Sequence, residues 1–153
     1  MLDIDEMSSI EILELLEKVG YGHLGCINEG NPYIIPMHYY LKESVIYLFT
    51  TEGMKSHDLD ANPAVCLQVE EIHDPERWRS AVVTGRAEHL TEQRELDELM
   101  QFVKAQNPTL SPAINRTWID SWGRGETIII YRIHPSEMTG RTTQGVSSRQ
   151  LTS

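Results

Sequence analysis

Residues 21–50 read YGHLGCINEGNPYIIPMHYYLKESVIYLFT, and this stretch decides the fold class. It contains three runs rich in β-branched and aromatic residues, which are typical of strands. The runs span residues 21–28, 33–41 and 45–50. Two short polar turns separate them, residues 29–32, where Gly30 can adopt a positive φ, and residues 42–44. The pattern therefore predicts a three-stranded antiparallel meander with tight connections.

Helical patterns lie before and between the strands. Ser8 and Glu11 have the spacing of a capping box, apolar residues then recur every three or four positions, and Gly20 follows as a stop signal. The predicted helices span residues 8–19, 51–63 (a turn that leads into a short helix ended by Asn-Pro) and 91–106.

The rest of the chain adds further strand candidates. These span residues 64–70, 78–90, 126–133 and 135–141. A polar connection is predicted at residues 71–77, and residues 107–125 are predicted to be irregular with one helical turn around 112–119. Six or seven strands with few helices predict a mainly β fold, a closed or partly closed antiparallel barrel with peripheral helices. We expect one domain over residues 1–141, followed by a flexible tail at 142–153.

The composition limits the classes of partner. The formal net charge is −10, from 13 Lys+Arg and 23 Asp+Glu residues, so we do not expect nucleic-acid binding, which needs a basic face. No apolar run approaches the ~20 residues of a membrane span, and the acidic N-terminus is unlike a signal peptide, so a cytoplasmic location without membrane association is expected. Cys26 and Cys66 lie in apolar runs without CxxC spacing, which predicts reduced thiols and no metal site.

The segment YLFTTEGMKS at residues 47–56 has the chemistry of a phosphate site. Gly53 allows a sharp turn and a close backbone approach, and the first turn of the following helix offers free N–H groups. Lys55 adds a positive charge. The segment also supplies three hydroxyl groups, those of Thr50, Thr51 and Ser56. The alternative is an ordinary solvated turn with an exposed lysine.

Four segments together resemble the pyridoxamine 5′-phosphate oxidase-like split barrels. One segment resembles that family's flavin-phosphate loop: it has a strand that ends in Tyr-x-x-Thr, a turn, Lys55 and a helix closed by Asn-Pro. The other segments are NPYIIPMHY at residues 31–39, WRSAVVTGRA at residues 78–87, and the closing strands at residues 130–135 and 138–141. The resemblance covers residues 8–141 and is nearest to nitroimidazole-resistance proteins and general flavin-nucleotide-binding proteins.

The resemblance implies an FMN cofactor at the interface of a homodimer. The implied cofactor contacts are Met37, His38, Tyr39, Thr50, Thr51, Met54, Lys55, Ser56, Trp78, Ser80, Trp122 and Arg141. Lys55 and the neighbouring hydroxyls would bind the phosphate, and Met54 stands where the family usually has an arginine before the lysine. Residues 50–51 would contact the flavin and its ribityl chain, and backbone groups of residues 37–39 would border the isoalloxazine ring.

The remaining implied contacts come from the long strand and from the second chain. Trp78 and Ser80 would reach the flavin from the long strand, whereas Trp122 and Arg141 would be contributed by the second subunit. His38 has three interpretations: a structural histidine that is hydrogen-bonded, a contact to flavin or substrate, or a haem ligand.

Three functions remain open from the sequence. The first is an FMN-dependent oxidoreductase that acts on a small molecule with NAD(P)H as a candidate electron donor, for which no catalytic side chain can be named. The second is a non-catalytic flavin-nucleotide binder that stores or senses flavin. The third is a haem-binding split barrel. FAD or a deazaflavin are alternatives to FMN as the cofactor.

Overall fold

The computed structural model describes residues 3–51, 54–106 and 128–143 of the 153-residue chain, and the statements below concern these residues. Seven strands and three helices lie within these ranges. In chain order they are β1 (Ile4–Glu6), α1 (Ser9–Val19), β2 (Tyr21–Asn28), β3 (Asn31–Lys42), β4 (Val45–Thr51), α2 (Met54–Ala61), β5 (Ala64–Asp74), β6 (Arg77–His89), α3 (Gln93–Gln106) and β7 (Ile128–Thr143). The predicted mainly β architecture with peripheral helices is confirmed.

The seven strands form one antiparallel sheet that closes on itself. Its order is β1-β7-β4-β3-β2-β5-β6, and β6 also pairs with β7. The β6–β7 ladder runs from Arg79 opposite Thr142 to His89 opposite Tyr131. Because this ladder joins the two ends of the sheet, six strands form a closed barrel, and β1 is added beside β7. The predicted meander corresponds to β2, β3 and β4.

Helix α1 forms because both of its ends are capped. The Ser8 side chain accepts from the Glu11 N–H at 3.2 Å, and the Glu11 carboxylate accepts from the Ser8 N–H at 3.1 Å. At the other end Gly20 adopts φ 71°, and its N–H donates to the Leu16 carbonyl at 3.3 Å. The predicted boundaries are therefore confirmed to within one residue.

Alternate side chains of the strands fill the barrel interior. The buried strand residues of this core include Leu24, Ile35, Met37, Tyr39, Ile46, Leu48, Leu67, Val69, Ala81, Val83, Tyr131 and Ile133. Ile12, Leu15 and Leu16 of α1 join the same core, each no more than 1% exposed. The helix therefore packs its apolar face against the barrel.

A second apolar cluster holds α3 against the outside of the barrel. Its buried members are Tyr40, Phe49, Leu90, Leu99, Val103 and Ile130. Arg132 of β7 strengthens this attachment, because its guanidinium pairs with Glu95 of α3 and with Glu88 of β6, the latter at 2.7 Å. The outer wall around β4 and β7 is therefore covered by α3.

The predicted polar connection at residues 71–77 is wrong. Strand β5 continues to Asp74 and β6 begins at Arg77. Charged side chains pair across these strands: Arg79 Nε donates to Glu71 Oε1 at 3.1 Å, and Arg77 Nε donates to Asp74 Oδ2 at 2.7 Å. Opposite charges on facing residues can stabilise a strand pair that has few apolar residues. The polar composition of residues 71–77 therefore indicated a loop although they belong largely to strands.

Strand β7 is continuous where the sequence predicted two strands interrupted before Pro135. The register against β6 shifts here, from Pro135 opposite Gly85 to Glu137 opposite Thr84, so Ser136 is an extra residue in β7. The Ser136 hydroxyl donates to the Thr84 carbonyl at 3.0 Å. A bulge of this kind accommodates a proline, which lacks an N–H, within a long strand.

No sequence pattern indicated strand β1. This three-residue strand pairs Ile4 with Thr143 and Glu6 with Arg141 at the end of β7. Strand β7 ends at Thr143, two residues into the tail that was predicted to begin at residue 142. A strand this short is defined by its pairing partner rather than by its own periodicity, because three residues carry too little pattern.

Several predictions lie outside the described residues, namely the irregular stretch with its helical turn at residues 107–125 and the tail from 144 onwards. In the described part of the chain no helix has both the length and the apolar composition needed to cross a bilayer.

Gly22 provides a test of the close packing between β2 and β5. A Cβ at this position would lie 2.5 Å from the backbone oxygen of Gln68 and 3.0 Å from Val69 Cγ2. We expect Gly22→Ala to lower the free energy of unfolding by about 1–3 kcal/mol in urea titrations, because the strands must separate. Gly30→Asn is the control, since nothing lies within 4 Å of a Cβ there and Asn tolerates its positive φ of 81°. An equal loss in both variants would contradict this account.

Candidate functional site

A cleft of about 490 Å³ lies where the start of β6 meets the end of β7 and the end of β1. Its lining residues are Glu6, Met7, Trp78, Ser80, Val82, Met138, Thr139, Gly140 and Arg141. Three side chains that the sequence resemblance singled out, Trp78, Ser80 and Arg141, are therefore brought together. Arg141 follows Trp78 and Ser80 by at least 61 residues in the sequence. The pairing of β6 with β7 brings the three side chains together.

The strand register explains which side chains share the cleft. Ser80 lies opposite Arg141 and Val82 lies opposite Thr139, and facing residues of an antiparallel pair point to the same side. Alternation along β6 places Trp78 on that side too. The face therefore presents an indole, a hydroxyl and a guanidinium in neighbouring positions.

The backbone of Trp78 is held firmly at the mouth of the cleft. Its N–H donates to Thr143 Oγ1 at 3.0 Å, and its carbonyl accepts from the hydroxyls of Thr142 and Thr143 at 3.4 and 3.3 Å. Thr143 is buried, with 6% of its surface exposed. These contacts fix the position from which the half-buried indole projects.

The charges of the cleft come from Arg141 and Glu6. They are opposite each other in the β1–β7 register, and no other lining residue in the described part of the chain is charged. Arg79, next to Ser80 in sequence, is engaged elsewhere: with Lys18 it binds the Glu71 carboxylate at 3.1 and 2.6 Å. The hydrogen bond from Lys18, together with Arg79, holds the pKa of Glu71 below its usual value. Arg141 is therefore the cation available to an anionic ligand in the cleft.

A polar chain runs from the cleft across β5 to β2. The Gln68 side-chain amide donates from Nε2 to Ser80 Oγ at 3.1 Å and to Glu70 Oε2 at 3.3 Å. On its other side Gln68 Oε1 lies 3.0 Å from His23 Nδ1. No role was predicted for Gln68 or His23, because their contact depends on the β2–β5 register, which sets His23 opposite Gln68.

The structure separates the side chains of residues 37–39. Met37 and Tyr39 are buried in the barrel core. The Tyr39 hydroxyl donates to the Leu16 carbonyl at 2.6 Å and accepts from the Gly20 N–H at 3.3 Å, and burial raises the pKa of Tyr39. These two side chains hold α1 and β3 together, so any contact of theirs with a ligand must use backbone groups, as the sequence analysis proposed.

His38 points to the opposite side of β3 from Met37 and Tyr39. Its ring centroid lies 5.0 Å from that of Tyr21, whose ring is 5.8 Å from that of His23. Its Nδ1 atom is buried and makes no hydrogen bond to any described residue. Burial lowers the pKa of His38, an effect that a hydrogen bond to the Gly20 backbone partly offsets, so burial favours the neutral imidazole. A purely structural His38 was predicted to be hydrogen-bonded, and at Nδ1 the described residues provide no such bond.

The strand–turn–helix unit predicted for phosphate is present in the backbone. Strand β4 ends at Thr51, opposite Ile128, and α2 begins at Met54. Thr50 is half-buried and lies opposite Ile129. The remaining predicted contacts lie outside the described side chains; these are Thr51, Met54, Lys55, Ser56 and Trp122.

Six lining residues of the cleft were not predicted. They are Glu6, Met7, Val82, Met138, Thr139 and Gly140. Val82 could have been found, because it lies two positions after Ser80 on the same face of β6. The β7 residues could not, since the register against β6 depends on the bulge. Glu6 and Met7 depend on β1, which has no sequence signal.

The cysteines and the potential metal ligands form no further centre in the described part of the chain. Cys26 and Cys66 are both free; Cys26 is buried and Cys66 half-buried. Burial, with Asp58 nearby, raises the pKa of the Cys26 thiol, which keeps it protonated. Within the described ranges no three His, Cys, Asp or Glu side chains converge in a way that could hold a metal ion.

Comparisons with known proteins agree with this fold. Residues 8–142 match the family described as pyridoxamine 5′-phosphate oxidase. An FAD-binding protein from Mesorhizobium loti is 25% identical, with a TM-score of 0.70 over 95% of this chain and 100% of that one. The flavocytochrome Anf3 from Azotobacter vinelandii is 17% identical, with a TM-score of 0.67 over 92% of this chain and 70% of that one.

A sequence relative from Rhizobium meliloti (strain 1021), itself uncharacterised, is 37% identical over 84 residues. The match covers 55% of this chain and spans about half, 56%, of the relative. The family match, by contrast, extends over nearly the whole chain, from the N-cap of α1 to the penultimate residue of β7. The chain therefore belongs to the pyridoxamine 5′-phosphate oxidase family of flavin-binding split barrels.

Proposed function

We propose that this chain is a homodimeric FMN-binding protein that uses the flavin to oxidise or reduce a small molecule. The observation that carries the proposal is the cleft in which Trp78, Ser80 and Arg141 meet. Its volume, about 490 Å³, lies within the ~300–1,000 Å³ typical of small-molecule sites. A wall of apolar and aromatic side chains with a few polar donors suits a flavin, which has a broad ring and several acceptor atoms.

Each described side chain of the cleft has a role in this proposal. The Trp78 indole offers a flat apolar surface for the ring, and Val82 and Met138 exclude water beside it. Ser80 donates to an acceptor atom of the flavin, and Arg141 provides a fixed positive charge. The bound flavin would supply hydride and electron transfer, so the protein has to bind, orient and shield it.

The phosphate group is assigned to the junction between β4 and α2. The first turn of α2 has free N–H groups and contains no acidic residue. Lys55 lies in this turn. In a chain with a formal net charge of −10, such a local concentration of positive charge and N–H donors is needed to hold a phosphate.

The two parts of the site favour an arrangement across two subunits. By way of β5, β2 and β3, Ser80 lies four strand steps from Thr50, or about 19 Å over the curved outer wall. The route through β7 has only two strand steps, but the two residues face positions twelve residues apart on that strand, Arg141 and Ile129. A second copy that faces this wall would bring its own cleft to the phosphate loop. Each flavin would then lie between the loop of one chain and Trp78, Ser80 and Arg141 of the partner subunit.

Apolar side chains on the outer wall support the same arrangement. Tyr21, Ile34 and Ile72 project from β2, β3 and β5 with 41%, 69% and 63% of their surfaces exposed. Exposed apolar groups on neighbouring strands are typical of an interface between proteins. A second copy would bury this surface beside the flavin.

Each of the four alternatives has a distinct signature. A flavin binder without catalytic function would hold the cofactor but would not pass electrons to it from NADH or NADPH. FAD, which one structural relative binds, would require space for an adenosine beyond the phosphate loop. A haem protein would show a Soret band, and a deazaflavin would shift the flavin absorption to shorter wavelength.

The purified protein is expected to bind one FMN per chain and to be a dimer. Absorption spectra after addition of FMN, combined with size exclusion and light scattering, measure both properties. Bleaching of the bound flavin by NADH or NADPH is expected for an oxidoreductase. A monomer that retains FMN would contradict the interface site, and a Soret band without flavin absorption would favour the haem alternative.

Substitution of Lys55 by Ala is expected to weaken FMN binding by about 10- to 150-fold. A charge-assisted contact contributes about 1.5–3 kcal/mol, which corresponds to that range. Fluorescence quenching titrations measure the dissociation constant. Lys104→Ala, at an exposed lysine in the last turn of α3, is the matched control and should bind FMN normally.

Riboflavin provides a second control for the same variant, because it lacks the phosphate. Lys55→Ala and the unsubstituted chain should bind riboflavin with equal dissociation constants. If Lys55→Ala weakens riboflavin and FMN by the same factor, Lys55 does not bind the phosphate.

A further inference from the structure

Gln68 lies on β5 opposite Val82 of β6, and its side chain reaches Ser80, which lines the cleft. Its side chain is half-buried, and both ends of its amide are engaged. Nε2 lies 3.1 Å from Ser80 Oγ and 3.3 Å from Glu70 Oε2, whereas Oε1 lies 3.0 Å from His23 Nδ1. The amide therefore bridges three side chains from three strands.

The Glu70 carboxylate determines which way this amide faces. An ionised carboxylate only accepts hydrogen bonds, so the amide nitrogen, not the oxygen, must face Glu70. The reverse orientation would set two acceptor oxygens against each other. With Nε2 directed to Glu70 and Ser80, Oε1 must accept from His23, which therefore carries its proton on Nδ1.

The orientation of the amide has a direct consequence for Ser80. The Ser80 oxygen accepts from Gln68 Nε2, so its own O–H is not needed for that contact. Ser80 lines the cleft, with Trp78 and Arg141 beside it. Its hydroxyl hydrogen is therefore free to be donated to a ligand.

We propose that Gln68 is a positioning residue that makes Ser80 a hydrogen-bond donor towards the flavin, with Glu70 and His23 holding the amide in the required orientation. This inference rests on the proposed function. If Ser80 donates, the flavin atom that it contacts must be a hydrogen-bond acceptor. The cleft therefore favours an edge of the flavin that carries acceptor atoms over one that presents an N–H group.

Gln68→Glu is the variant that reverses the polarity with the least change in shape. A carboxylate at this position cannot donate to Ser80 and instead accepts its hydrogen, which turns the hydroxyl away from the ligand. Gln68→Met removes the amide without capturing the hydrogen, so Ser80 can still rotate and donate. We expect FMN affinity to fall in the order unsubstituted chain, Gln68→Met, Gln68→Glu.

The decisive measurement is a double-mutant cycle between Gln68 and Ser80, read as FMN dissociation constants by fluorescence quenching. Ser80→Ala and Gln68→Glu are each expected to weaken binding by about three- to tenfold, the effect of one hydrogen bond. In the Ser80→Ala background, Gln68→Glu should add less than about a twofold loss, because the hydroxyl through which it acts is gone. Thr84→Ala, on the same face of β6 outside the cleft, is the control and should leave the constant unchanged.

The outcomes separate this inference from the proposed function. Equal weakening by Gln68→Glu with and without Ser80 would show a general effect of charge or structure and would overturn the inference alone. The same conclusion follows if Gln68→Met weakens binding as strongly as Gln68→Glu. If the unsubstituted chain binds no flavin, the proposed function fails, and this inference fails with it.

Discussion

The core and the cleft both rely on the ladder between β6 and β7. It joins the two ends of the sheet and so encloses the core. It also requires close approach at Gly85, where a Cβ would lie 2.7 Å from the His134 carbonyl oxygen. The bulge at Ser136 shifts the register once, and that shift sets Ser80 opposite Arg141. Closure of the barrel and assembly of the cleft are thus consequences of the same pairing.

The same geometry places the two halves of the proposed flavin site apart. The cleft lies at one end of the β6–β7 ladder, whereas the proposed phosphate site follows β4, four strand steps away by way of β5, β2 and β3. Neither part alone resembles a complete nucleotide site, because the cleft has the apolar wall and the β4–α2 junction has the helix N-terminus. Two copies with their outer walls together would make two complete sites and would bury Tyr21, Ile34 and Ile72.

Local signals predicted the parts of the fold that local chemistry determines. The meander of β2, β3 and β4 followed from turn residues and strand composition, and α1 followed from its capping box. The bulged β7, the short β1 and the charged ends of β5 and β6 could not be predicted, because each is stabilised by a partner strand distant in sequence. Trp78, Ser80 and Arg141 were found through family resemblance, whereas Gln68 depends on strand register and had no signal of its own.

In the proposed dimer, each flavin site combines the loop of one chain with the cleft of the other. A mixed dimer tests it most directly, formed from one chain with Lys55→Ala and one with Arg141→Ala, each of which is expected to bind FMN weakly as a homodimer. If the sites are shared between chains, the mixed dimer contains one site with both residues intact and should bind one FMN per two chains with the affinity of the unsubstituted protein. A mixed dimer in which both sites remain weak would contradict the account.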